Sequence, residues 1–396
     1  MRGVVKDATV SSRRASSASS AAKNMVVYAT ASLPVYLLLA TGGAYYPENI
    51  EIGIGVFVII LVLMTTGWIL LPPNPLKRSI LSRQFVLLLI IFSVLYSASL
   101  NSFAPQYAFY KIENALTPAA LIAIIATTRS MHFEQLLKGI VYTAFLILIF
   151  TIFYKIIFGF SDRSVRFFIN GPIVFAWLMS LGLILTLLNN LIKIKGKVFF
   201  STIFFFAVAW TESKGPLIAC IMSLIIYGYQ RNLVRTVIFV PMLAIAAAYL
   251  SAELGLFQRA EALLRLASGG LSDADTGSIL VRQGMIRRTM DLIALYPVLG
   301  VGLGNWSHFI TIPTPSGVAM YPHNLFLELM AEAGILRGSI IIAALALMGF
   351  GSSRRFLPVI VLVCIAAMFS GDLSYGRFVL VAILLANIDA AVSRRV

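Results

Sequence analysis

The stretch YPHNLFLELMAEAGILRG (residues 321–338) places side chains that can act on a substrate in an otherwise apolar part of the chain. His323 is one of only three histidines, and it is followed by Asn324, Glu328 and Glu332. The last three are spaced at i, i+4 and i+8, which predicts one polar stripe along a helix. A histidine in such a position can accept a proton from a reacting hydroxyl group, so His323 is a candidate general base.

The residue before His323 suggests where the helix starts. Pro322 suits the first helical position, so we expect His323 in the first turn. The positive end of the helix dipole there favours an anion and disfavours a protonated imidazole, so His323 should stay neutral. The alternative is an interfacial histidine that is hydrogen-bonded to the neighbouring loop, and the sequence leaves both interpretations open.

The two carboxylates of this stretch directly precede another apolar run. Ionisable side chains at the edge of a membrane usually face the interior of a helix bundle and have partners there. Arg282 and Arg377 are candidate partners for Glu328 and Glu332. A solvated helix end is the alternative.

The composition indicates that membrane helices position these residues. The chain is 59% hydrophobic and only 12% charged, whereas soluble domains have about 25% charged residues. Apolar runs long enough to cross ~30 Å of hydrocarbon recur towards the C-terminus. We therefore predict an all-α fold, a polytopic inner-membrane bundle of about twelve transmembrane helices with one large helical periplasmic loop. The predicted spans lie near 25–44, 50–72, 84–102, 108–127, 136–158, 168–190, 197–212, 215–229, 233–251, 325–350, 356–371 and 375–392.

The chain is divided into four parts by this prediction. They are a disordered cytoplasmic tail (1–24), a membrane domain with spans 1–9 (25–251), the periplasmic loop (252–322) and a membrane domain with spans 10–12 (323–396). Lys and Arg are concentrated in the tail and in every second loop, which predicts that both termini are cytoplasmic. The net charge of +15 follows from this distribution and does not indicate nucleic-acid binding.

The large loop contains two stretches with helical apolar spacing, AELGLFQRAEALLRLA and GSILVRQGMIRRTMDLIALYP. We expect two helices that lie across the outer mouth of the bundle. The next stretch, YPVLGVGLGNW (296–306), has three alternating glycines but lacks the preceding strand and the GxGxxG spacing of a nucleotide site. A glycine-rich turn that permits close backbone approach is expected instead.

Cations in or beside the predicted outer loops form a second group of candidate site residues. A single one can be explained as a side chain that reaches lipid headgroups. Several on separate loops could converge on a polyanion, and pyrophosphate suits guanidinium groups, which bind phosphate oxygens in bidentate fashion. These cations are Arg163, Arg166, Lys214, Arg259, Arg265, Arg282, Arg287, Arg288 and Arg377. No cysteine, histidine or carboxylate cluster indicates a metal site, and we expect no cofactor.

The order of motifs resembles that of the bacterial O-antigen ligase and polymerase superfamily of membrane glycan-transfer enzymes. An outer-loop arginine is followed by P-x-x-G-x-G-x-G-N-W and then by H-N-x-x-L-x-x-x-x-E-x-G at the start of a span. The resemblance is closest over 277–338 and looser in SDRSVRFFINGP (161–172) and TESKGP (211–216).

The resemblance implies glycosyl transfer on the periplasmic face, without metal or nucleotide, from a glycan carried on undecaprenyl pyrophosphate. His323 matches the histidine that contacts or deprotonates the acceptor, Arg282 matches the outer-loop arginine, and Arg163 or Arg166 matches an arginine before the sixth span. With Glu332, whose role is either catalytic or structural, His323 and Arg282 form the predicted catalytic group. The predicted substrate-binding residues are Arg163, Arg166, Lys214, Arg287, Arg288, Asn324, Glu328 and Arg377.

Ligase and polymerase activities share this donor and differ in the acceptor, which is lipid A–core for a ligase and another lipid-linked glycan for a polymerase. The loop after the fifth span is short, which favours a ligase. A secondary transporter or a flippase for lipid-linked glycans is the alternative from another class. Either would need a polar path through the spans, whereas the charges here lie near span ends.

Overall fold

The computed structural model describes residues 75–128, 133–159, 171–231, 276–311, 321–369 and 373–393, together with Phe167 and the pairs 313–314 and 317–318. The predicted tail (1–24), the predicted spans near 25–44, 50–72 and 233–251, and the first predicted helix of the large loop lie outside the described residues. Arg163, Arg166, Arg259 and Arg265 also lie outside them.

The described residues fold almost entirely into α-helices. They are α1 (Pro75–Ser99), α2 (Pro105–Thr128), α3 (Phe133–Phe158), α4 (Pro172–Leu188), α5 (Ile194–Trp210), α6 (Lys214–Arg231), α7 (Thr276–Leu295), α8 (Trp306–Phe309), α9 (Leu325–Gly349), α10 (Leu357–Phe369) and α11 (Gly376–Ser393). Two-residue strands, β1 (Pro313–Thr314) and β2 (Gly317–Val318), pair antiparallel. Each predicted span that falls on described residues corresponds to one of these helices, and the predicted second helix of the large loop is α7.

Three described helices are long and apolar enough to cross a membrane: Ser82–Ser99 within α1, all of α3 and all of α9. Helix α3 also exposes large apolar side chains, including Phe153 at 61% and Ile157 at 72%. Contiguous apolar surface of this kind is rare on soluble monomers and suits contact with lipid. The all-helical membrane fold is thus supported, and the number of twelve spans stays a prediction.

Helix α11 lies at the centre of the described bundle. It packs against α1, α2, α9 and α10, and every residue from Gly376 to Ala391 is buried. Helix α9 in turn packs against α1 on one side and α7 on another. Because the candidate residues lie on α7 and α9, these packing contacts determine where the site is.

Helix α9 is interrupted at Gly334, where φ is +81° and ψ is 165°. We call residues 325–333 the first half-helix. The interruption leaves backbone groups without helical partners, and residues 297–305, which we call the glycine segment, provide replacements. The N–H groups of Val301 and Gly302 donate to the carbonyls of Ala331 and Glu332 at 3.0 and 2.9 Å. The N–H of Ile335 donates to the carbonyl of Pro297 at 2.7 Å.

The two backbones approach so closely that only glycine fits at the contact. A Cβ atom on Gly300, where φ is +68°, would lie 2.4 Å from the carbonyl oxygen of Glu332. A Cβ atom on Gly334 would lie 2.3 Å from the carbonyl oxygen of Val298. The close backbone approach predicted for the glycine-rich turn is therefore confirmed.

Replacing Gly334 by alanine should destabilise the protein strongly, because the position combines a glycine-only backbone conformation, worth about 1–3 kcal/mol, with a steric clash. Gly349→Ala on the same helix is the matched control, because a Cβ atom there meets nothing within 4 Å. We expect the thermal unfolding midpoint in detergent to fall for Gly334→Ala and to stay near wild type for Gly349→Ala. Equal midpoints for the two variants would contradict the close-contact interpretation.

Candidate functional site

The first half-helix begins at Leu325 and is capped by Asn324, whose side-chain Oδ1 accepts hydrogen bonds from the backbone N–H groups two and three residues later, both at 3.1 Å. The prediction that Pro322 starts the helix is wrong. Asn324 ends the non-helical backbone instead, because its side-chain oxygen satisfies N–H groups that have no helical partner. His323 therefore precedes the helix, with φ at +57°.

Tyr321 interacts with both His323 and Arg282. The rings of His323 and Tyr321 pack edge to face, with centroids 4.6 Å apart. Arg282 is half-buried, and burial lowers the pKa of its guanidinium, while an electrostatic interaction with Tyr321 opposes that change. An arginine starts from so high a pKa that it remains charged. A cation of α7 and a histidine that precedes α9 thus both interact with Tyr321, the first electrostatically and the second through ring packing.

Lys111 of α2 joins the two carboxylates of the first half-helix. Its Nζ atom lies 3.0 and 3.1 Å from the two carboxylate oxygens of Glu332, and it also pairs with Glu328. All three side chains are 0% exposed. The prediction that the carboxylates face the interior and have a partner is confirmed, and Lys111 is a partner that was not among the candidates from the sequence, Arg282 and Arg377.

Sequence reasoning missed the function of Lys111 because the residue lies more than two hundred positions before its partners. A signal was present, since a lysine in an apolar helix requires a counter-charge or a route to water. The buried ammonium also lies 4.8 Å from the ring centroid of Tyr107. Lys111 therefore ties α2 to the first half-helix through both charge and ring contact.

Glu332 and the residues after the glycine segment are joined by further hydrogen bonds. The backbone N–H of Trp306 donates to the carboxylate of Glu332 at 3.2 Å. The side chain of Asn305 donates to the carbonyls of Asn101 and Val301 at 3.0 and 2.8 Å. Its oxygen accepts from the N–H of Phe103 at 2.9 Å. The loop between α1 and α2, the glycine segment and the first half-helix are thus held as one unit.

The other predicted site residues lie in different environments. Arg377 is fully buried at the start of α11, with its guanidinium 5.0 and 5.2 Å from the ring centroids of Tyr375 and Phe378. Arg287 and Arg288 are exposed on α7, and Lys214 is exposed at the start of α6. The structure therefore groups Glu328 and Glu332 with Lys111, while Arg282 and His323 share an interaction with Tyr321.

Comparison with protein families agrees with this part of the molecule. Residues 198–342 match the family model described as O-antigen ligase. The match includes α7, the glycine segment and the first half-helix, and it supports membership of the chain in the O-antigen ligase family, as the sequence motifs indicated. No curated protein matches the chain significantly.

Lys111→Met should destabilise the protein by about 3–5 kcal/mol, because it leaves two buried carboxylates without their cation. Adding Glu332→Gln should restore part of the loss, since one buried charge is removed. The thermal unfolding midpoints of the single and the double variant in detergent would measure the loss of stability and its recovery.

Lys138→Met is the matched control for that experiment. The Lys138 ammonium lies 5.4 Å from the ring centroid of Tyr142, and it pairs with no described carboxylate. A similar loss of stability in Lys138→Met, or no recovery of stability in the double variant, would show that loss of the ion pairs does not cause the destabilisation by Lys111→Met.

Proposed function

We propose that this chain transfers a glycan from undecaprenyl pyrophosphate to lipid A–core or a similar acceptor, at the periplasmic face of the inner membrane. The family suggests glycan transfer in O-antigen biosynthesis, with a lipid-linked glycan and a lipid acceptor as partners. The apolar helices are consistent with an inner-membrane enzyme. The donor, the acceptor, cytoplasmic termini and independence from metal and nucleotide are parts of the proposal.

The observation that carries the proposal is that Tyr321 interacts with both candidates, packing against the ring of His323 and interacting electrostatically with Arg282. Transfer from a pyrophosphate requires a fixed cation where negative charge develops on the leaving group, and it requires a base for the acceptor hydroxyl. Arg282 provides the first, because a guanidinium binds phosphate oxygens in bidentate fashion. His323 provides the second, because a neutral imidazole accepts a proton near neutral pH.

The reaction proceeds as a displacement at the anomeric carbon. The acceptor oxygen attacks that carbon, its proton passes to His323, and the bond from the anomeric carbon to the pyrophosphate oxygen breaks. The bonding electron pair leaves with undecaprenyl pyrophosphate, whose charge Arg282 stabilises. The proton on His323 is then released to solvent or to the pyrophosphate, which restores the base.

The buried carboxylates serve this chemistry indirectly. Both oxygens of Glu332 contact Lys111, and one also accepts from the N–H of Trp306. This arrangement favours a positioning role for Glu332 over a catalytic one. Glu328, which pairs with the same ammonium, is proposed to have a positioning role too. The remaining cations are proposed to bind pyrophosphate or glycan from neighbouring loops; they are Arg163, Arg166, Lys214, Arg287, Arg288 and Arg377.

The test uses purified protein in nanodiscs with undecaprenyl-pyrophosphate glycan, with and without lipid A–core, and without metal or nucleotide. We expect a glycan ladder on lipid A–core, and His323→Ala should lower its rate by about 10²–10⁴-fold, the usual contribution of a general base. His308→Ala is the matched control, because His308 is an exposed histidine on α8. It should keep the wild-type rate.

The outcomes separate the possible functions. Longer lipid-linked chains without lipid A–core would identify a polymerase with the same donor. Equal rates for His323→Ala and His308→Ala would exclude His323 as the base. Absence of any product from folded protein that binds the donor would refute the transferase proposal, and movement of lipid-linked glycan across the membrane would then be measured.

A further inference from the structure

We infer that Trp306 and Thr289 are positioning residues that hold Arg282 at a fixed place relative to His323. The inference rests on the proposed function, because it concerns the same pair of site residues. It arises from a hydrogen-bond chain that joins α7, which carries Arg282, to the first half-helix, which follows His323. Neither Trp306 nor Thr289 was a candidate site residue from the sequence.

This hydrogen-bond chain runs through the fully buried Trp306. Its indole Nε1–H donates to the hydroxyl oxygen of Thr289 at 2.9 Å, and its backbone N–H donates to the carboxylate of Glu332 at 3.2 Å. The hydroxyl of Thr289 donates in turn to the carbonyl of Met285 at 2.6 Å. The Thr289 hydroxyl thus acts as donor and acceptor at once, and one tryptophan spans two helices.

The contact with Trp306 lies on the same face of α7 as Arg282. Residues 282, 285, 289 and 292 are spaced by three or four positions, and so they share one face of the helix. Met285, Thr289 and Leu292 are 1%, 0% and 5% exposed, whereas Ile286 is 42% exposed. Arg282 therefore lies on the buried face of α7, the helix that packs against α9.

A hydrogen bond sets the rotation of α7 more strictly than apolar packing does. Hydrophobic contact is non-directional, whereas a hydrogen bond weakens steeply as its angle departs from linearity. The guanidinium of an arginine lies far from the helix axis, so even a small rotation of α7 about that axis moves it appreciably. The indole–hydroxyl bond therefore fixes the direction in which Arg282 leaves α7.

The other end of the hydrogen-bond chain, at Glu332, is fixed by charge. The Glu332 carboxylate that accepts from the N–H of Trp306 is itself held by Lys111. Hydrogen bonds to a charged group are about twice as strong as those between neutral groups. Trp306 is therefore held on one side by the first half-helix, which follows His323, and on the other side it fixes the orientation of α7.

The experiment compares Thr289→Val with Thr186→Val. Both substitutions remove the hydroxyl of a threonine that is 0% exposed. Both hydroxyls also donate to the carbonyl four residues earlier, at 2.6 Å for Thr289 and 2.7 Å for Thr186. The additional feature of Thr289 is its bond from the indole, so Thr186→Val controls for the substitution itself. Thr289→Ser keeps the hydroxyl and tests rescue.

We expect Thr289→Val to lower kcat per folded molecule by about tenfold or more, because misplacing a group by about 1 Å can cost 10²-fold. The KM for the donor should change less. Thr289→Ser should recover most of the loss, and Thr186→Val should match wild type. Trp306→Phe should resemble Thr289→Val, and the double variant should lose no more than the worse single variant, since both remove one interaction.

Hydrogen exchange of α7 provides a readout that does not depend on transfer activity. Amides of α7 should exchange faster in Thr289→Val than in Thr186→Val, because α7 loses a tertiary anchor. Unchanged exchange in α7, or kcat for Thr289→Val within twofold of Thr186→Val while wild type is active, would overturn the inference. If wild type transfers no glycan although Thr289→Val still exchanges faster in α7, the proposed function fails and the anchor for α7 stands.

Discussion

The arrangement of this molecule depends on how the interruption of α9 at Gly334 is satisfied. Buried backbone N–H and C=O groups released at this break need partners, because each would otherwise lose a hydrogen bond. The glycine segment supplies these partners through Val301 and Gly302, and Pro297 accepts from the far side of the break. The interruption is thus a fixed joint that lets the first half-helix take a direction of its own.

The buried charges add a second constraint on the same half-helix. Two carboxylates and one ammonium, each 0% exposed, are costly to bring out of water unless they meet in good geometry. Lys111 meets both Glu328 and Glu332, and this pairing holds α2 against the first half-helix. The first half-helix is therefore held rigidly, and so is the segment that leads into it, which includes His323. A catalytic group needs such a rigid attachment to keep its orientation.

Much of the site could be predicted from local patterns, and most of the rest depends on contacts distant in sequence. The spacing of Glu328 and Glu332 predicted their shared face, and the alternating glycines predicted close backbone approach. The helix starts at Leu325 and not at Pro322, because the side chain of Asn324 caps its first turn. The partner of the carboxylates was missed because Lys111 approaches from another helix, and local spacing carries no information on such a pairing.

The most direct measurement is an experimental structure of the protein in nanodiscs with undecaprenyl pyrophosphate bound. The account predicts the diphosphate within hydrogen-bond distance, about 3 Å, of the Arg282 guanidinium. His323 should then face the side from which an acceptor hydroxyl can approach. A diphosphate bound elsewhere, with Arg282 and His323 both distant from it, would contradict the proposed site.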